Sequence, residues 1–141
     1  MDAQIRPILL VEDNPLDVDL TLRSFTKRNL ANPIEVARDG EEALAFISHW
    51  ESGHQPPIIV MLDINLPKVS GLEVLKALRA HPVYQRIPLV LLISSEEDRE
   101  HLGNLPNDGI FFLVKPVNFD KFAALSAQIG LSWSIGSAPN T

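Results

Sequence analysis

The 141-residue sequence contains no cysteine. Disulfides, thiolate metal sites and cysteine nucleophiles are therefore excluded. Long apolar runs are missing too. The start, Met1 to Gln4, is polar, the run after it is only Ile8 to Val11, and others such as Ile58 to Leu62 are strand-sized. None has the length of a signal-peptide core or a membrane span, so a cytoplasmic chain with no membrane partner is expected. Positive charge is scarce: 12 Lys and Arg against 18 Asp and Glu leave a net charge of −6. No block of basic residues interrupts this acidic balance, and an acidic surface repels a phosphate backbone, so no nucleic-acid partner is expected. Also absent are a Gly-x-Gly-x-x-Gly fingerprint, a Gly-Lys-Ser/Thr phosphate loop and a Gly-x-Ser-x-Gly elbow. There is no internal repeat and no low-complexity stretch.

What is present is a steady alternation of strand-like and helix-like segments. The length suits one domain over 1–141, with a core over about 5–131 and a polar tail over 136–141. Ile8 to Val11 reads as a strand buried on both faces. It runs into Glu12-Asp13-Asn14-Pro15, where Asp13 or Asn14 can cap a helix and Pro15 suits its first turn. Val18, Leu22 and Phe25 follow at helical spacing. Ile34 to Ala37 is a weak second strand, and Asp39-Gly40 opens a helix carrying Ala43, Ile47 and Trp50 on one face. Ile58 to Leu62 is a third strand leading into Asp63. Ser70 and Glu73 form a capping box before Leu72, Leu75 and Leu78. Leu89 to Ile93 is a fourth strand, followed by a poor helix that Gly103 and Pro106 cut short. Ile110 to Val114 is a fifth strand, and Asn118 caps a last helix with Phe119, Phe122, Leu125 and Ile129. Trp50 and Trp133 read as packing residues, and Trp133 could also support a homodimer through the last helix. His49, His54, His81 and His101 read as surface residues.

Five βα units predict an α/β, doubly wound parallel sheet with helices on both faces. In such sheets the site lies beyond the carboxyl ends of the strands. That rule selects Glu12 and Asp13 after the first strand, Asp63 after the third, Ser94 after the fourth and Lys115 after the fifth. Each has a bland alternative: a helix N-terminal charge pair for Glu12-Asp13, a turn residue for Asp63, a surface lysine for Lys115, a helix cap for Ser94. Taken together they suggest chemistry. Three converging carboxylates repel one another unless a cation neutralises them. Hard oxygen ligands without cysteine or a histidine pair suit Mg²⁺. A carboxylate nucleophile, a divalent ion and a lysine make an aspartyl-phosphate site, with Asp63 as the best nucleophile.

Three motifs in order resemble a known family. Ile8-Leu9-Leu10-Val11-Glu12-Asp13-Asn14, then Asp63-Ile64-Asn65-Leu66-Pro67 with Gly71-Leu72-Glu73-Val74-Leu75, then Val114-Lys115-Pro116 are similar to receiver domains of two-component response regulators. The likeness covers roughly 5–131. It implies a flavodoxin-like (βα)5 sheet of order 2-1-3-4-5 and a signalling domain, not an enzyme. Asp63 would accept a phosphoryl group from a sensor histidine kinase or phosphotransfer protein. Asp13 and Asp63 would ligate Mg²⁺ directly, Glu12 through water, and Asn65 through its backbone carbonyl. Lys115 would contact the phosphoryl group, Lys115-Pro116 would be a cis peptide, and Phe112 would be the aromatic switch. The segment Glu51 to Pro57 and the ending Gly130 to Trp133 resemble stand-alone receivers paired with phytochrome-type kinases.

One position departs from the pattern. The family places Thr or Ser at the end of the fourth strand, and counting back from Lys115 puts that position at Ile93, with Ser94 its neighbour. Adjacent strand residues face opposite sides, so Ser94 is a poor substitute. This motivates an alternative, a pseudo-receiver that binds a partner without using phosphate. A haloacid-dehalogenase-like phosphatase would need a second acid two residues after the nucleophile, where this chain has Asn65.

Overall fold

Ile8–Val11 is apolar at every position and buried at every position, as a strand covered on both faces must be. Ile59–Asp63 and Leu89–Ile93 are likewise buried throughout, apolar except for Asp63. These are β1, β3 and β4 of a computed structural model that describes residues 6–28, 30–66, 68–101 and 110–129, the side chain of His101 excepted. β2 spans Ile34–Ala37 and β5 Ile110–Val114. The helices are α1 Pro15–Lys27, α2 Gly40–Glu51, α3 Gly71–Ala80, α4 Glu96–His101 and α5 Phe119–Ile129. Expectations placed on Gly103, Pro106, Trp133, the ending Gly130 to Trp133 and the tail 136–141 lie outside the described residues.

Among the described residues the five strands pair in parallel, in the order β2-β1-β3-β4-β5. This is the doubly wound, flavodoxin-like arrangement expected from the βα alternation and the family likeness. The period of two along each strand sorts the core into two layers. Leu9, Val11, Val60, Leu62, Leu89 and Leu91 pack with Ala43, Ile47 and Trp50 of α2 and with Val74, Leu75 and Leu78 of α3. Their neighbours Ile8, Leu10, Ile59, Met61, Val90 and Leu92 pack with α1 and α5 on the other face. There Phe25 meets Phe119 edge-on at 5.4 Å and Phe122 at 5.0 Å. Burying such a ring contributes about 1.5–3 kcal/mol.

The helix starts follow from the capping residues. Asn14, of the two candidates, caps α1: its side chain accepts from the Leu16 and Asp17 N–H groups, with Pro15 in the first turn. Asp13 is thereby left free for the rim. Asp39 caps α2, and Ser70 with Glu73 forms the reciprocal box at α3. Leu72 is only half-buried, and Val74 takes the core position beside Leu75 and Leu78.

Two expectations need correction. The third strand is Ile59–Asp63, one residue later than Ile58 to Leu62, because the ladder continues: Asp63 pairs with Leu92 and the Ile64 N–H donates to the Leu92 carbonyl at 3.4 Å. His81 is more than a surface residue. Its ring stacks on Tyr84 at 4.3 Å and its Nε2 lies 2.8 Å from Glu51, tying the end of α3 to the end of α2.

Candidate functional site

The carboxyl ends of β1, β3 and β5 meet along one edge of the sheet. β1 stops at Val11, so Glu12 and Asp13 emerge there; β3 stops at Asp63; β5 stops at Val114, so Lys115 follows. Parallel pairing of β1 with β3 brings these ends side by side. One carboxylate oxygen from each of Glu12, Asp13 and Asp63 lies within 4.8 Å of the others. Glu12 and Asp63 are each 2% exposed, and Asp13 is open to solvent.

Lys115 reaches across this rim. Its Nζ lies 2.9 Å from Asp63 Oδ2, 3.5 Å from Glu12 Oε1 and 3.6 Å from Asp17 Oδ2. Its backbone N–H donates to the Ile93 carbonyl at 2.8 Å, and the peptide to Pro116 is cis. The two oxygens of Asp63 are therefore held differently: Oδ2 accepts from the ammonium, while Oδ1 accepts from the Asn65 N–H at 2.9 Å. The loop after Asp63 can make that turn because α3 begins with a glycine. A Cβ on Gly71 would sit 2.4 Å from the Asp63 carbonyl oxygen and 2.7 Å from Ile64 Cα.

The electrostatics are strained on the acidic side. Burial, and then repulsion from Asp63, raise the Glu12 pKa from 4.5 to about 7, against the pull of the Asn14 N–H and Lys115. For Lys115, burial opposes the charge. The Asp63 hydrogen bond and the carboxylates of Asp63, Glu12 and Asp17 outweigh it and hold the ammonium above its ordinary 10.5. Two buried acids and a third beside them, with one lysine among them, form a net-negative pocket of hard oxygen donors. Among the described residues this is the group of three or more acidic or imidazole side chains able to share an ion. Its donor set fits a small divalent cation such as Mg²⁺.

The structure thus brings together Glu12, Asp13, Asp63 and Lys115, with Asn65 joined through its backbone. Ser94 stands apart. It is exposed, its N–H donates to Asp98 Oδ2 at 2.8 Å, and the Asp98 N–H in turn donates to Ser95 Oγ at 3.4 Å, so the hydroxyl at the start of α4 belongs to Ser95. Ile93 is wholly buried and pairs with Val114. Phe112 is half-buried against the α2–α3 layer, with the Arg99 guanidinium 4.8 Å above its ring. Sequence reasoning missed Asp17. Its place three residues after the Asn14 cap, where a first-turn side chain leans back over the helix start, sets it near the rim, but nothing in the sequence shows that it meets Lys115.

Comparison with known proteins gives a consistent picture. A family model described as the response regulator receiver domain matches residues 8–126. The bacteriophytochrome response regulator AtBRR shares 41% sequence identity and a TM-score of 0.79, over 94% of this chain and 97% of that one. The phosphorylated cyanobacterial phytochrome response regulator RcpA shares 28% identity with a TM-score of 0.71, over 92% and 99%. Response regulator Rcp1 of Synechocystis sp. is 30% identical over 129 residues, 89% of this chain and 87% of that protein. Its Mn²⁺-bound form superimposes with a TM-score of 0.66 at 27% identity, over 92% and 99%.

Proposed function

This chain belongs to the response regulator receiver family of two-component signalling, and on that footing we propose that Asp63 accepts a phosphoryl group with magnesium at the rim. The observation that carries the proposal is the pairing of buried Asp63 with Lys115 at 2.9 Å inside a cluster of three carboxylates. An Asp63 oxygen attacks phosphorus and forms the new O–P bond. The P–N bond of a phosphohistidine donor breaks, and its electron pair leaves with the imidazole. The Asn65 N–H keeps the carboxylate turned toward the donor. The Lys115 ammonium, already beside Oδ2, offers a hydrogen bond to a phosphoryl oxygen as charge gathers there. Glu12, Asp13, Asp63 and the Asn65 carbonyl would hold Mg²⁺, which when bound neutralises negative charge on the phosphoryl oxygens.

The donor is a sensor histidine kinase or phosphotransfer protein. The likeness to phytochrome response regulators supports a phytochrome-type kinase. The Mn²⁺ bound in Rcp1 supports the divalent ion, and the phosphorylated form of RcpA supports the chemistry. Borohydride reduces an aspartyl phosphate to homoserine. After incubation with acetyl phosphate and Mg²⁺, peptide mapping should find homoserine at position 63, and a map without it would count against the proposal.

Ile93 favours a second reading. A wholly buried aliphatic side chain stands where a hydroxyl is expected, so the chain could act as a pseudo-receiver that binds its partner irrespective of phosphate. A large change in partner affinity or oligomeric state on phosphorylation, lost in Asp63→Asn, would exclude that reading.

A further inference from the structure

The Lys115 ammonium has three carboxylate neighbours, and they differ in what the reaction leaves of them. Asp63 becomes an acyl phosphate when it accepts the phosphoryl group. Glu12 belongs to the acidic cluster that fits a divalent ion. Asp17 belongs to neither: it sits in the first turn of α1, and its side chain is 34% exposed where that of Lys115 is 20% exposed. Its place is fixed from below. Asn14 Oδ1 accepts from the Asp17 N–H at 3.3 Å, and the Asn14 N–H donates to Glu12 Oε2 at 3.1 Å, so the turn that carries Asp17 is built onto the rim itself. We infer that Asp17 is a positioning residue that tethers the Lys115 ammonium over Asp63 throughout phosphoryl transfer.

This inference rests on the phosphoacceptor reading of Asp63 and adds to it the group that keeps the lysine in place. A lysine stem has free rotation about every bond, and when Asp63 becomes an acyl phosphate the ammonium must pass from its carboxylate to the phosphoryl oxygens, so a fixed second anion is what keeps it over the rim during that exchange. The Asp17 contact survives the step. It holds the ammonium toward the first turn of α1.

The test is a double-mutant cycle at saturating Mg²⁺, following phosphoryl uptake from acetyl phosphate. Asp17→Asn keeps the shape and removes the charge, and should slow uptake about tenfold, within the range for residues in direct contact. Asp17→Glu should restore most of the rate. In a Lys115→Gln background Asp17→Asn should add nothing. An unchanged rate in Asp17→Asn, or equal effects in both backgrounds, would overturn the tether. A second readout needs no phosphate: the ¹H–¹⁵N ammonium signal of Lys115 in the unmodified chain should shift in Asp17→Asn, and an unshifted signal also overturns it. A wild-type chain that takes up no phosphate while the signal shifts would refute the phosphoacceptor reading, and with it the role in transfer, while establishing the Asp17–Lys115 contact in the unmodified chain.

Discussion

At Glu12, burial and the Asp63 carboxylate push in the same direction, to a pKa of about 7. The consequence for stability has a definite sign. The folded chain holds this proton between about pH 4.5 and 7 while the unfolded chain has released it. Stability of the metal-free chain therefore falls as pH rises through that window, by roughly 1–3 kcal/mol, and stays low above it. Urea unfolding without divalent ions should show this decline, and Glu12→Gln should flatten it and leave the chain more stable at pH 8. A decline of the same size in Glu12→Gln would assign it to other groups. The acidic pair, Asp63 and Lys115 were legible as residues because each follows a short apolar run of strand length set in the βα alternation. Asp17 was not. It reads as an ordinary acidic first-turn residue, and only the path of Lys115 across the rim shows that the two meet.

Among the elements, the segment from β3 to α3 does the most to shape the site. Ser70 and Glu73 hold the start of α3 reciprocally, and Ser70→Ala should cost about 1 kcal/mol in thermal or urea unfolding while leaving phosphoryl uptake nearly intact. Gly71→Ala should behave differently. The added carbon has no room beside the Asp63 carbonyl and Ile64 Cα, so either strand end or helix start must move. Uptake on Asp63 should fall further than the loss of stability alone would explain; comparable rates in the two variants would mean that the abutment does not position Asp63. The capping box was legible because it is a four-residue pattern. The end of β3 was not, because nothing local distinguishes an aspartate that ends a strand from one that follows it; the Leu92 partner on β4 decides. The cap of α1 was ambiguous between Asp13 and Asn14 for a similar reason, since both residue types can accept from a helix start. The choice of Asn14 is what frees Asp13 for the rim.

For the whole molecule, the alternation of βα units carried the parallel sheet and the placing of the site at one edge. The order β2-β1-β3-β4-β5 is a long-range property, and no single segment encodes it; the family likeness supplied it. The fold and the rim are linked through the ion. A ligand that binds only the folded chain adds about 2.7 kcal/mol at roughly one hundred times its Kd. Mg²⁺ should therefore raise the melting temperature, more at pH 8, where Glu12 is ionised, than at pH 5.5. Asp13→Asn should lose most of that gain, and a gain preserved in Asp13→Asn would place the ion elsewhere. The most direct test of Asp63 as phosphoacceptor is intact mass after incubation with acetyl phosphate, with and without Mg²⁺, on the native chain and on Asp63→Asn. The expected result is the gain of one phosphoryl group that requires both the ion and Asp63. No gain under conditions that modify a control receiver, or an equal gain in Asp63→Asn, would contradict it.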